Sequence, residues 1–305
     1  MARGESGSRV GGGVGNGRAC GGRAVAMTRL GGGRWRVTRP WPAALRPYLH
    51  SYAGYWETTV SPYRVRLVPT GRAVVVISLG EPFAQVRRLG ETRPAGGVVG
   101  SLVSGLEDGP RVCDHPGGQE AIRLELTPLG AYRLFAVPMR ELTNTVVELQ
   151  AVLGPRAGEL VERIALTGDW ATRFDLLDRA LLGRIARGPE PAPEVRHAWR
   201  LLARSGGAVP VAAIAAEVGW SHGYLVRRFT QQVGLTPKTS ARVLRFHRAV
   251  GLLARESADL HATAAACGFY DQAHLNREFR ALAGLTPGRL AAGRLAEGAV
   301  PLQDG

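Results

Sequence analysis

Cysteine is scarce in this chain, and what there is excludes two chemistries. Cys20, Cys113 and Cys267 are an odd number at wide spacing, with no paired CxxC arrangement. Neither a disulfide framework nor a structural zinc site is expected from them. Long apolar runs are also missing: no window approaches about eighteen uncharged apolar residues, the length that spans a bilayer. The N-terminus scatters arginines among glycines where a secretory leader needs an apolar block. A protein outside the membrane and resident in the cytoplasm is the expectation. No HExxH metalloprotease signature, Gly-rich phosphate loop or EF-hand pattern occurs. Catalytic, metal and cofactor sites are therefore not expected.

The chain has 305 residues and is 45% hydrophobic, enough for two domains with cores of their own. Its net charge is +14 and unevenly placed. Residues 1–39 hold eight Arg against one Glu, residues 40–194 balance seventeen Arg with seventeen acids, and residues 195–295 hold fourteen basic residues against five acids. A neutral middle joined to a basic C-terminal region suits a nucleic-acid-binding domain attached to something else. Basic charge is also ordinary solvated surface, so composition alone does not decide.

Residues 1–39 are rich in Gly and Arg with little to bury, so a disordered tail is expected. Nonspecific nucleic-acid binding is one role for it; a translation start at Met27 is the plainer explanation. Residues 40–188 read as a β-rich domain ending in helices. Arg64–Val68 and Ile122–Leu126 alternate at period two, and Val74–Ile77 is a short buried run. After Pro128 the period becomes helical, with Trp170, Phe174, Leu177, Leu181 and Ile185 on one stripe behind the N-cap Asp169. Residues 189–193, Pro-Glu-Pro-Ala-Pro, form a stiff linker. Cys113-Asp114-His115 puts a thiol, a carboxylate and an imidazole together, but a Gly/Pro-rich loop would turn neighbours apart. Trp41, Tyr48, Tyr52, Tyr55 and Trp56 either fill a core or line a small-molecule pocket, core packing being the simpler role.

The informative feature is an internal repeat. Residues 221–237 match residues 271–287 at a constant offset of fifty, so that Ser221, Leu225, Arg227, Phe229 and Pro237 align with Asp271, Leu275, Arg277, Phe279 and Pro287. Ser221 and Asp271 are N-cap types, and each Leu/Phe pair lies four apart on one helical face. Upstream of each cap stands a short apolar helix, Val211–Val218 or Leu260–Cys267, followed by Gly219 or Gly268 where a turn needs positive φ. Ala215 and Ala264 sit where two helices approach closely. Helix, Gly turn and capped helix is helix-turn-helix grammar. Between the units, Pro237 can open a helix through Ala254 with Val243, Phe246, Ala249, Val250 and Leu253 on one stripe. At 1.5 Å per residue that helix separates the units by roughly 25 Å. Their second helices can then enter successive major grooves, about 34 Å apart. The expected fold is thus α+β: a β-rich N-terminal domain with a helical C-terminal part, a linker, an all-α domain at 194–294, and a tail at 295–305.

These segments, Gly219–Phe229 (GWSHGYLVRRF), Arg242–Leu253 (RVLRFHRAVGLL), Gly268–Phe279 (GFYDQAHLNREF) and Gly284–Leu290 (GLTPGRL), resemble the DNA-binding domain of the AraC/XylS family of transcription regulators. Leu45–Tyr48, Val68–Gly80 and Pro138–Asn144 are more loosely similar to poorly characterised domains that precede such units in some actinobacterial regulators. The resemblance implies sequence-specific binding to double-stranded promoter DNA, with a small-molecule effector, a homodimer and RNA polymerase as further partners. It places Gly223, Val226, Arg227, Gln272, Ala273, Asn276 and Arg277 at base-reading positions. Arg suits guanine and Asn or Gln suits adenine. Gly223 and Val226 lack hydrogen-bonding side chains, which makes the second unit the richer reader. His222, Arg228, Lys238, Arg242, Arg245, His274 and Arg280 are of a kind to meet phosphates, the plain alternative for each being a solvated surface residue. The rival functions are an architectural DNA binder without sequence preference and an enzyme with a fused DNA-binding domain.

Overall fold

The computed structural model describes residues 24–31, 33–58, 61–80, 85–91, 100–254, 259–292 and 299–301. Cys20 and residues 1–23 of the expected tail lie outside them.

The β-rich part begins earlier than expected. β1 (Ala26–Gly31) and β2 (Arg34–Thr38) pair antiparallel inside the segment read as tail, and Val37 and Arg39 are buried. Composition hides this because Trp35, Val37 and Arg39 do their packing singly, between polar neighbours in a segment that opens on glycines. There follow β3 (Leu49–Glu57), β4 (Tyr63–Leu67), β5 (Ala73–Ser78), β6 (Gln85–Arg88), β7 (Leu102–Ser104), β8 (Arg111–His115) and β9 (Glu120–Leu126). The helical part holds α1 (Pro128–Phe135), β10 (Val146–Glu148), α2 (Leu149–Leu153), α3 (Pro155–Ala165) and α4 (Trp170–Arg187). A seven-stranded sheet runs β1-β2-β3-β9-β5-β7-β10. A four-stranded sheet runs β11-β4-β8-β6, in which β11 (Ala299–Pro301) comes from the expected C-terminal tail and pairs antiparallel with β4. An edge strand is recruited through backbone groups, so its side chains need not announce it.

Alternation sends Val75, Ile77, Ile122 and Leu124 to one face of the large sheet, where they are buried in the main core with Phe174, Leu177 and Leu181 of α4. Asp169 caps α4 as expected, accepting from the Thr172 amide at 2.9 Å. A charged clasp holds α4 to the sheet side: Arg39, with its side chain 1% exposed, pairs with Asp175 at 2.7 Å and with buried Asp178 at 2.5 Å. Tyr52 donates to Asp178 at 3.2 Å and packs edge-on against Phe174. Of the opening aromatics, Tyr52 is thus core, whereas Trp56 is 40% exposed and stacks on Trp35.

Cys113-Asp114-His115 lies on strand β8 rather than in a loop. Period-two alternation then puts Cys113 and His115 on one side, Sγ to Nε2 3.2 Å, with Asp114 turned to Arg64 and Arg87. Burial pushes the Cys113 thiol up to about 12 and the His115 imidazole down, so this is a neutral, packed pair. Among the described residues no three His, Cys, Asp or Glu side chains gather as a metal ion would need. No helix there is long and apolar enough to cross a membrane.

The C-terminal helices are α5 (Pro193–Arg204), α6 (Val211–Glu217), α7 (His222–Val233), α8 (Pro237–Leu253), α9 (Leu260–Ala266), α10 (Gln272–Ala283) and α11 (Pro287–Ala292). The apolar stripe of α8 is buried at Val243, Phe246, Ala249, Val250 and Leu253.

Candidate nucleic-acid interface

Each unit is built by the same local devices. The turns place Gly219 at φ +69° and Gly268 at φ +72°, where a side chain would strain the backbone. Ser221 accepts from the Tyr224 amide at 3.3 Å, and Asp271 from the His274 amide at 2.6 Å. Gly219-Trp220-Ser221-His222-Gly223 spells the GxSxG pattern of hydrolase nucleophile elbows, but that serine belongs on a strand-to-helix turn. Ser221 instead caps a helix that follows a helix. Leu225 and Phe229, like Leu275 and Phe279, are 0% exposed, and Ala215 and Ala264 are buried at the close approach of each helix pair. Phe246 of α8 meets Phe279 edge-on at 4.9 Å, which seats the second unit on the connecting helix.

With those positions in the core, helical geometry turns the others outward. Gly223 and Arg227 of α7, and Gln272, Ala273 and Arg277 of α10, are exposed; Val226 and Asn276 are half-buried beside them. The expected base-reading residues thus share the open faces of α7 and α10. The phosphate candidates divide. His222, Lys238 and Arg280 are exposed. Arg242 is paired with Glu278 of α10, Arg245 donates to the Gly207 carbonyl at 2.8 Å, and Arg228 donates to Gln231 at 2.9 Å. Those three arginines spend hydrogen bonds inside the domain. His274 accepts from the Tyr270 amide at 3.3 Å and lies 3.8 Å from Glu278.

Three aromatics beside these positions were not anticipated. Tyr270, just ahead of α10, is 93% exposed. Tyr224 on α7 is 39% exposed and meets Trp220 edge-on at 4.8 Å. Tyr224 and Arg227 stand three apart on a helix that the repeat had already outlined, a signal that could have found them.

The opposite ends of α7 and α10 are held by the β-rich part. α7 packs against α1 and the 3₁₀ turn Met139–Glu141, and Gly234 at its end lies against Thr143 and the Met139 carbonyl. Gln232, 2% exposed, accepts from the Ala192 amide at 2.9 Å. The linker is therefore packed down: Glu190 pairs with Arg133 of α1 at 2.5 Å. At the second unit, Arg66 of β4 donates to the Ala283 and Gly284 carbonyls that end α10, at 3.1 and 2.9 Å. Gly71, before β5, rests on Val243 and Leu244 of α8. Beside it Glu125, 3% exposed, is paired with Arg72 and Arg123. Burial works against the Glu125 carboxylate, yet the two arginines hold its pKa below the ordinary range. Burial and then the Arg72 charge hold His247 of α8 below the ordinary imidazole value, leaving it neutral at pH 7. One apolar core runs from the large sheet through α4 to α8 and α10.

Residues 214–293 match the family model described as a helix-turn-helix domain, and residues 38–148 match one described as a domain of unknown function (DUF6597). No curated protein matches. Among solved structures, a transcriptional regulator with an AraC-type DNA-binding domain from Chromobacterium violaceum is 30% identical, over 35% of this chain and 96% of that one, with a TM-score of 0.32. The C-terminal domain of AraT, a response regulator from Geobacillus stearothermophilus, is 22% identical over 36% and 93%, TM-score 0.33. ToxT from Vibrio cholerae is 9% identical over 80% and 98%, TM-score 0.44. Sequence identity across nearly all of the Chromobacterium domain, together with the helix-turn-helix match, shows that this chain belongs to the AraC family of DNA-binding transcription regulators.

Proposed function

We propose that the chain regulates transcription by laying α7 and α10 in successive major grooves on one face of promoter DNA, with the β-rich domain governing their placement. The observation that carries this is the arrangement of α7 and α10: their capped ends expose Arg227, Gln272 and Arg277, and their other ends are gripped by the β-rich part, at Gly234 and through Arg66. Arg277, Asn276 and Gln272 supply the hydrogen-bonding readers of the second unit, and Arg227 supplies that of the first. His222, Lys238 and Arg280 are the phosphate contacts that set register. The linker at 189–193 marks where sensing ends and reading begins. An effector or a second copy of the chain would act by shifting the contacts that Arg66, Gly71 and Gly234 make across that division.

Selection of bound sequences from random DNA tests the reading against an architectural role. A defined site is expected, held in the presence of excess random competitor. Equal affinity for selected and random DNA would remove the sequence-specific regulator and leave the architectural binder.

A further inference from the structure

The first unit looks poor in readers, because Gly223 and Val226 have nothing to donate to a base edge. What it has is a single arginine held in an unusual way. The Arg227 guanidinium carbon lies 5.0 Å from the centroid of the Tyr224 ring. Trp220 meets that ring edge-on at 4.8 Å, the planes 86° apart, and Trp220 itself packs on the apolar core. A continuous stack thus runs from the core through Trp220 and Tyr224 to the arginine. At the matched place of the second unit stands His274, whose ring turns edge-on to Phe269.

An exposed arginine samples many rotamers and loses that freedom when it forks onto a base. A guanidinium parked over an aromatic face has lost part of it beforehand, and the face favours its charge. Stacking leaves the edge of the guanidinium, with its N–H donors, open for the bidentate contact to guanine O6 and N7.

We propose that Tyr224 is a positioning residue for the first unit: with Trp220 behind it, its ring holds the Arg227 guanidinium ready for a guanine, and so supplies specificity where Gly223 and Val226 supply none. This rests on the reading of Arg227 as a base contact. It gives the first unit a preference for one guanine rather than for a longer word.

The test uses the full chain and a selected DNA duplex, with guanine replaced by adenine at each position in turn, and compares Tyr224→Ala, Tyr224→Phe and Arg227→Ala. Tyr224→Ala is expected to cut the guanine preference about two- to fivefold at the one position where Arg227→Ala abolishes it. The second unit's positions should be untouched. Tyr224→Phe, which keeps the ring, should retain the preference, and Tyr224→Ala added to Arg227→Ala should cost nothing more. An unchanged preference in Tyr224→Ala overturns the positioning role, as does a uniform loss in both Tyr224 variants, which marks the hydroxyl as a phosphate contact. If Arg227→Ala alters no position, the base contact itself is absent and the positioning role falls with it.

Discussion

Arg277→Ala is expected to weaken binding to the selected site about five- to 150-fold, the loss falling in one half of that site. Arg277 is exposed on α10 beside Gln272 and Asn276, and Leu275 and Phe279 anchor the same helix at 0% exposure. Removing the arginine therefore changes a reading group and leaves its platform intact. A phosphate contact behaves differently: Lys238→Ala should lower affinity for all sequences alike and make the salt dependence shallower. Quantitative binding to the selected duplex and to its single-base variants separates the two. Uniform weakening in Arg277→Ala would move Arg277 from the bases to the backbone.

The largest stability effect is expected at Arg39. Its guanidinium is sealed between Asp175 and Asp178, and Asp178 takes a further hydrogen bond from Tyr52. Arg39→Ala would take the guanidinium away from the buried Asp178 carboxylate, a cost of about 3–5 kcal/mol for breaking a buried ion pair from one side. Tyr52→Phe removes one neutral donor to that carboxylate and should cost only about 1–2 kcal/mol. Replacing the pair together, Arg39→Met with Asp178→Leu, should recover most of the loss, since apolar packing substitutes for a buried ion pair without its desolvation. Urea unfolding followed by tryptophan fluorescence measures all three. A small effect of Arg39→Ala would mean that water reaches Asp178 once the arginine is gone.

The two capped helix pairs were legible because everything that makes them is local. A cap, a glycine turn and a Leu/Phe pair four apart each declare themselves within a dozen residues, and the fifty-residue repeat states them twice. Strands β4 and β9 were legible for the same reason, through alternation, and β5 through the short apolar run Val74–Ile77. The β1–β2 hairpin was not, because single residues such as Val37 and Arg39 are buried by partners on β3 and α4 far along the chain. Cys113 and His115 were misplaced because Pro110 and Pro116 made a strand look like a loop. The docking of the reading helices was the least visible part. It depends on Arg66 reaching two carbonyls, and any residue supplies a carbonyl. The contact of Arg227 with Tyr224, and of Tyr224 with Trp220, was not read from the sequence because ring partners are set by packing.

That docking has a consequence for DNA. Units joined only by a flexible link could follow half-sites set at any whole number of turns. Units fixed through α8, through Arg66 at the end of α10, and through Gly234 at the end of α7 cannot.

The most direct measurement is the affinity of the full chain for its selected site after 5 or 10 base pairs are inserted between the two read segments. The first insertion turns one segment to the opposite face of the duplex, and the second restores the face but adds about 34 Å. Two readers held in one body predict a loss of at least about tenfold for both insertions. Unchanged affinity after the 5-base-pair insertion would contradict two-unit reading, and recovery after the 10-base-pair insertion would contradict the single rigid body.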